Sequence, residues 1–148
     1  MSESRLADIF NARKPGDQTA AATPIRSEDK NADTSQLGNG QRQMFNLMES
    51  TKDSLFITGK AGTGKSYLLN FFVRNTSKKV VVLAFTGVAA INVGGQTIHS
   101  FFRLPPRMPI PKDALTPSAE RAQLYRCLDA IIIDEASMLN AEIMNAID

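Results

Sequence analysis

A glycine-rich segment with one lysine and one hydroxyl residue is the part of this sequence best suited to chemistry. Residues 59–66 read GKAGTGKS, which fits the pattern G-x-x-x-x-G-K-[ST]. Glycines let the backbone turn tightly, so that its N–H groups can converge on phosphate oxygens. A helix beginning at Lys65 adds roughly half a positive charge at the same point. Lys65 itself carries a full charge toward the β and γ phosphates, and Ser66 offers a hydroxyl to Mg²⁺.

The segment therefore predicts a site for a nucleoside triphosphate. A chance match to the pattern arises in roughly one of two hundred chains of this length, and it would be a surface turn with an incidental lysine. The flanking sequence favours the phosphate-binding interpretation, because an apolar stretch precedes the loop and another follows it. The predicted nucleotide contacts are Gly59, Lys60, Ala61, Gly62, Thr63, Gly64, Lys65 and Ser66.

Two adjacent carboxylates form the second candidate site. Residues 131–137 read IIIDEAS, so Asp134 and Glu135 end an apolar strand. In a fold with a phosphate loop, such a strand end faces the phosphates, where Asp134 can hold the Mg²⁺ shell. Glu135 points the other way along the pleat and can polarise an attacking water. The alternative is a solvated strand end or an acidic helix N-terminus. We predict Lys65, Asp134 and Glu135 as the catalytic residues, and Ser66 and Asp134 as the metal ligands.

Alternating strands and helices must position these groups. Apolar runs predict strands at residues 55–58, 80–85 and 130–134. Periodicity and capping residues predict helices at residues 41–49, 66–74 and 87–92, another from a cap at Thr116 to about Cys127, and a last one from about Ser137. This order predicts an α/β fold with a parallel sheet flanked by helices.

Composition limits the class of protein. The 148 residues carry 17 basic and 15 acidic side chains, one cysteine and one histidine, which excludes an internal disulfide and a His or Cys metal cluster. No apolar run approaches the ~18 residues of a membrane span, and no secretory signal is evident. We expect a soluble, intracellular protein without membrane contact. Residues 1–36 have little to bury and predict a disordered tail, followed by a folded domain over residues 37–148.

Four segments together resemble the first motor domain of Pif-type DNA helicases of superfamily one, near the RecD-like branch. They are Gln41, the phosphate loop, residues 85–102 with the sequence FTGVAAINVGGQTIHSFF, and residues 131–148. The resemblance implies a RecA-like P-loop NTPase domain that is incomplete here, with ATP as the nucleotide. It also implies that Gln41, four places after Leu37, reads the adenine, with Gln43 as the alternative.

The same resemblance implies contacts with single-stranded DNA. The predicted DNA-binding residues are Thr86, Gly87, His99, Ser100 and Phe101. A helix opening at Gly87 can accept a phosphate, and an aromatic ring can stack on a base. For His99 and the two phenylalanines the alternative remains open, since adjacent phenylalanines usually include a core residue.

The resemblance implies an ATP-dependent 5′-to-3′ DNA helicase acting on single strands and duplex junctions in repair, recombination, replication or telomere maintenance. Such an enzyme needs a second RecA-like domain, so the chain is expected to be a truncated fragment, inactive alone. The implied location is the cytoplasm or nucleoid of a bacterium, or a eukaryotic nucleus. The alternatives are a P-loop ATPase or phosphotransferase that does not act on DNA, and a non-catalytic nucleotide-binding fragment.

Overall fold

The computed structural model describes residues 33–105, 110 and 116–148. The predicted disordered tail therefore lies almost wholly outside the described residues. Its last residues, Thr34–Gln36, form a 3₁₀ turn whose cap is the Asp33 side chain. The chain divides into two compact units. Their described parts are residues 33–78, which we call the loop unit, and the described residues from 79 to 148, which we call the sheet unit.

Two helices make up most of the loop unit. Helix α1 spans Asn39–Ser50 and helix α2 spans Lys65–Asn75, close to the two predicted helices. Phe45 of α1 packs edge-on against Phe71 and Phe72 of α2, with ring centroids 5.6 Å apart in both pairs. Edge-to-face aromatic pairs add to the hydrophobic stabilisation of burial. This contact holds the middle of α1 against α2.

The strand predicted at residues 55–58 is wrong for this structure. These residues are not in a strand, and the sheet found among the described residues consists of three other segments. Leu55 and Phe56 are 40% and 81% exposed. An apolar run becomes a strand only when a neighbouring strand accepts and donates its backbone hydrogen bonds. The described part of the chain supplies no such neighbour here.

The sheet unit contains a parallel sheet of three strands in the order β2–β1–β3. Strand β1 spans Val80–Ala84, β2 spans Gln96–Thr97 and β3 spans Ala130–Asp134. Every residue of β1 is in register with β3, from Val80 opposite Ala130 to Ala84 opposite Asp134. The parallel arrangement and the bounds of β3 confirm the sequence prediction. Strand β2 was not predicted, since two residues carry no periodic signal.

Four helices accompany the sheet in the described residues. They are α3, Gly87–Asn92; α4, Ile98–Phe102; α5, Ala119–Arg126; and α6, Ala141–Ile147. Seven buried residues join α4, α5 and α6 to β1 in one core: Val81, Leu83, Ile98, Phe101, Leu104, Leu124 and Ile143. Gly95 lies between α3 and β2, and a Cβ there would collide with the backbone of Val82. Glycine at this position therefore lets the chain return closely against β1.

Two predicted helix starts need correction. The cap of α5 is Ser118, whose hydroxyl accepts from the Arg121 N–H at 3.4 Å, and not Thr116. The last helix does not run on from Ser137. A 3₁₀ turn, Ala136–Met138, comes first, and Asn140 then caps α6 through the Ile143 N–H at 2.9 Å. In each case a polar side chain nearer the helix provides the hydrogen bond that fixes its start.

Among the residues described, none of the helices has the length and apolar character needed to cross a bilayer.

Candidate nucleotide site and DNA-binding segments

The phosphate loop connects residues 55–58 to α2 and is exposed along most of its length. Its backbone turns through two glycines in the left-handed region, Gly62 at φ 78° and Gly64 at φ 79°. Gly64 is also the residue that precedes α2, and no side chain caps this helix. The first N–H groups of α2 have no intrahelical acceptors. They lie where the sequence predicted a phosphate contact, beside Lys65 and Ser66 at the start of the helix.

Internal hydrogen bonds shape the loop. Thr63 closes a turn onto the carbonyl of Lys60 through its N–H at 3.3 Å and its hydroxyl at 2.9 Å. The Lys65 ammonium donates to the carbonyls of Gly59 and Lys60 at 2.8 and 3.1 Å. The ammonium is thus held against the loop it is predicted to serve. A phosphate that replaced these neutral acceptors would bring a negative charge against the ammonium, and hydrogen bonds between two ionised groups are short and strong.

Gln41 contacts this loop directly. Its side-chain carbonyl accepts from the Gly38 N–H at 3.1 Å, and its amide nitrogen donates to the carbonyls of Gly64 at 3.3 Å and Thr63 at 3.5 Å. The predicted adenine reader therefore lies beside the phosphate loop. The alternative, Gln43, is exposed on the same helix, and the structure shows no hydrogen bond from it to the loop.

A second set of contacts secures the end of α1, and sequence reasoning missed it. The Glu49 carboxylate accepts from the hydroxyls of Thr76 and Ser77, both at 2.5 Å, and from the Ser77 N–H at 3.0 Å. Lys78 donates to the carbonyls of Met48 and Thr51, both at 2.7 Å. Partial burial acts to raise the pKa of Glu49, but the hydrogen bonds from Ser77 and Thr76 outweigh it and lower the pKa below 4.5. We call these contacts the Glu49 clamp. Because Thr76 lies 27 residues from Glu49 along the chain, no local sequence pattern identifies the clamp.

The acidic pair lies in the sheet unit. Asp134 is the last residue of β3, as predicted, and is half-buried. Glu135 is exposed and has φ 52° and ψ 46°, which is left-handed for a residue with a Cβ. Such a conformation costs on the order of 1 kcal/mol or more and occurs preferentially at functional sites. This left-handed residue ends β3 directly at the acid pair.

Thr86 and Gly87 follow β1, whose last residue pairs with Asp134. The Thr86 hydroxyl caps α3 by accepting from the Ala89 N–H at 3.2 Å. Gly87, exposed, is the first helical residue. In a parallel sheet the carboxyl ends of the strands share one edge, and ligands bind along that edge. Thr86 and Gly87 are therefore at the same edge of the sheet as the acidic pair.

The second predicted DNA segment is divided between surface and core. His99 is half-buried, and its ring packs edge-on against Phe85 with centroids 5.8 Å apart. Ser100, the third residue of α4, is exposed. Phe101 is only 3% exposed and belongs to the core, where it contacts Phe102 and Tyr125. Its predicted contact with DNA is corrected on this ground, because a ring packed on both sides by protein cannot stack on a base.

Comparison with known proteins is consistent with this geometry. A family profile described as PIF1-like helicase matches residues 36–148. The chain is 34% identical to the ATP-dependent DNA helicase PIF1 of Candida albicans, over 89% of this chain and 15% of that protein. It is 37% identical to the ATP-dependent DNA helicase Pif1 of Bdellovibrio bacteriovorus, over 67% of this chain and 23% of that protein.

Solved structures give the same result. A structure of two coordinating Pif1 helicases that unwind forked double-stranded DNA matches with a TM-score of 0.68 and 36% identity, over 76% of this chain and 28% of that one. Bacteroides sp. Pif1 in complex with ADP-AlF4 matches with a TM-score of 0.66 and 36% identity, over 76% of this chain and 26% of that one. The chain thus spans about a quarter or less of the relatives it matches. The predicted RecA-like P-loop fold is confirmed as a partial domain, and the chain belongs to the PIF1-like helicase family.

Proposed function

We propose that the protein containing this chain is an ATP-dependent DNA helicase, and that this chain supplies its phosphate loop and acid pair. The observation that carries the proposal is the loop itself. Lys65 and the uncapped start of α2 stand together at a glycine turn, in a chain of the PIF1-like family. A full charge and converging N–H groups suit the β and γ phosphates of a nucleotide.

The donor set on the chain fits Mg²⁺. Ser66 contributes a hydroxyl and Asp134 a carboxylate, which are the hard oxygen ligands that this ion prefers. Mg²⁺ usually keeps several waters and takes few protein ligands beside substrate phosphates. When bound, the ion would supply positive charge that offsets the negative charge of the phosphates. We propose the Asp134 carboxylate and the Ser66 hydroxyl as the protein ligands of the ion.

Glu135 is proposed as the residue that orients the attacking water. Its carboxylate is exposed and is set by a left-handed backbone at the end of β3. A positioned carboxylate acting on a water in this way contributes a factor of about 10² to 10⁴ to a hydrolysis rate. Lys65 completes the proposed machinery by stabilising negative charge on the transferred phosphoryl group.

The proposed DNA contacts are Thr86, Gly87, His99 and Ser100. Thr86 and Gly87 lie at the ligand-binding edge of the sheet, and Ser100 is exposed on α4. Support comes from the structural match to Bacteroides Pif1 bound to single-stranded DNA, at a TM-score of 0.63 and 34% identity. We extend the proposal to duplex junctions, 5′-to-3′ movement, and a second RecA-like domain that closes over the nucleotide.

The cellular setting follows from the proposed substrate. A helicase acts where DNA is, in the cytoplasm and nucleoid of a bacterium or the nucleus of a eukaryote. Relatives named PIF1 and RRM3 from Saccharomyces cerevisiae match at 35% and 28% identity. We propose a role in DNA repair, recombination, replication or telomere maintenance on the basis of this membership.

The proposal is tested with the Lys65→Ala variant of the complete protein. We expect wild type to hydrolyse Mg-ATP faster when single-stranded DNA is added. The variant should lose at least about a hundredfold in turnover, because an electrostatic stabiliser of the transition state is removed. It should keep most of its affinity for a labelled oligonucleotide. Turnover is measured by phosphate release, and Lys52→Ala, an exposed lysine of the same unit, is the matched control.

The outcomes separate the candidate functions. Wild-type protein that hydrolyses ATP without binding DNA would be a P-loop ATPase or phosphotransferase of another kind. Wild-type protein that binds nucleotide with no turnover would be a non-catalytic module. Either result contradicts the helicase proposal.

A further inference from the structure

Both ends of the Gln41 side chain are engaged by protein. The carbonyl oxygen accepts from Gly38 of its own helix terminus at 3.1 Å. The amide nitrogen donates to the carbonyls of Thr63 and Gly64, which are 22 and 23 residues away along the chain. Reading a base would not by itself require this second contact. The Gln41 amide is therefore hydrogen-bonded to the backbone of the phosphate loop.

The contact fixes the direction in which the loop presents its N–H groups. In a trans peptide unit the C=O and N–H bonds point in opposite directions. When Gln41 binds the carbonyls of Thr63 and Gly64, the N–H groups of Gly64 and Lys65 are therefore turned to the other side. These are the N–H groups at the start of α2, where anions bind. The Gly64 carbonyl also accepts from the Leu68 N–H at 2.9 Å, which ties the same peptide to the helix.

The packing leaves room for this arrangement only with glycine at position 64. A Cβ on Gly64 would lie 2.5 Å from the Gln41 amide nitrogen, and the residue has φ 79°. On its other side, Gln41 is carried by a helix held through Phe45 against α2. The amide is thus placed by a packed element and not by a free loop.

We propose that Gln41 is a positioning residue for the phosphate loop. It orients the N–H groups of the loop for the triphosphate, and this effect does not depend on any contact between Gln41 and the base. This inference rests on the proposed nucleotide function and extends it. By holding two peptide units in place, Gln41 reduces the ordering that the loop must undergo when phosphate binds. Such preorganisation raises affinity because less entropy is lost on binding.

The test uses a ligand that has no base or sugar. Binding of Mg-tripolyphosphate and of Mg-ATP to the complete protein is measured by calorimetry for wild type, Gln41→Ala, Gln41→Met and Asn46→Ala. Gln41→Met keeps the length and packing of the side chain without its hydrogen bonds. Asn46→Ala removes an exposed polar side chain from the same helix. We expect both Gln41 variants to bind tripolyphosphate about three- to tenfold more weakly, as the loss of one or two neutral hydrogen bonds predicts, and Asn46→Ala to match wild type.

A spectroscopic readout accompanies the affinities. In both Gln41 variants the backbone amide signals of Gly64 and Lys65 should shift or broaden, whereas that of Asn75 at the far end of α2 should stay in place. A role limited to supporting the fold would alter the melting temperature without this selective change.

Each remaining outcome is decisive. If the Gln41 variants weaken ATP but leave tripolyphosphate unchanged, Gln41 reads only the base and the inference fails while the proposed function stands. If Gln41→Met binds tripolyphosphate as wild type does, side-chain packing and not hydrogen bonding is responsible, and the inference fails again. Wild type that binds ATP but not tripolyphosphate also overturns it. Wild type with no magnesium-dependent affinity for either ligand overturns the proposed function itself.

Discussion

Individual residues of the candidate site are held in position by different means. Lys65 is held against two carbonyls of its own loop, so its charge is already located before a phosphate arrives. Glu135 is placed by backbone strain, with φ 52°. Strain at one residue persists only when the surrounding structure imposes it. Here the paired strand before it and the 3₁₀ turn after it supply that constraint.

The first prediction at this scale concerns Glu135→Gln in the complete protein. The variant should bind Mg-ATP with affinity close to that of wild type, because the phosphate contacts are unchanged. Its DNA-stimulated turnover should fall by about a hundredfold or more, since a neutral amide cannot take a proton from water. Binding is measured by calorimetry and turnover by phosphate release. Glu120→Gln, an exposed glutamate on α5, controls for loss of a negative charge, and normal turnover in Glu135→Gln would remove Glu135 from its proposed role.

At the scale of elements, the helices and strands differ in how far sequence specifies them. The bounds of β1 and β3 follow from runs of β-branched residues, a local signal. The same signal at residues 55–58 was misleading, because strand formation needs a neighbour, and the described residues contain none for Leu55 or Phe56. Adjacent Phe101 and Phe102 look alike in sequence, yet of these two only Phe101 is buried, and Phe102 is partly exposed. Which one faces the core depends on the short helix α4, which periodicity does not reveal.

The candidate site likewise combines features that local sequence specifies with contacts that it does not. The loop motif predicts the phosphate contacts directly, since residue type and spacing carry the chemistry. The bond that the Gln41 amide donates to Gly64 and the bond that Glu49 accepts from Ser77 join residues 23 and 28 positions apart. No spacing rule links such positions, because their approach depends on how α1 packs on α2.

The Glu49 clamp leads to a prediction about pH. Its pKa is lowered in the folded protein, so the charged carboxylate stabilises the fold above the unfolded value of about 4.5, and this contribution disappears as pH falls through the folded pKa. Glu49→Gln should be less stable than wild type by about 1 kcal/mol at pH 7, a figure reduced for solvent exposure. The difference should narrow as pH falls below about 4.5. Denaturant unfolding at pH 7 and pH 3 measures this.

Asp53→Asn is the control for this clamp, since Asp53 is an exposed acid of the same unit. Its stability relative to wild type should show little dependence on pH. A Glu49→Gln variant whose destabilisation stayed constant from pH 7 to pH 3 would show that the clamp does not depend on the carboxylate charge.

At the scale of the whole molecule, the described sheet has the order β2–β1–β3, so β3 is at one edge among the described residues. Its Ile131 is 41% exposed. Exposed backbone groups and apolar side chains at a sheet edge favour pairing with a further strand. Residues 55–58 likewise show apolar side chains without a strand partner in the described chain. The solved Pif1 chains are about four times as long as the part matched here.

The last prediction concerns the 148-residue chain produced by itself. It contains the phosphate loop and the acid pair, but under the proposed function a second RecA-like domain would supply the cationic groups that stabilise transition-state charge. Loss of such a group costs a factor of about 10³ to 10⁵ in turnover. We therefore expect weak Mg-ATP binding at best, no measurable turnover with or without single-stranded DNA, and no unwinding of a forked duplex. Calorimetry, phosphate release and a strand-displacement assay provide the measurements, with the complete protein as positive control and Lys65→Ala as negative control. DNA-stimulated turnover by the isolated chain that Lys65→Ala abolishes would show that its own residues suffice for catalysis, and the second domain would then be needed only for movement along DNA.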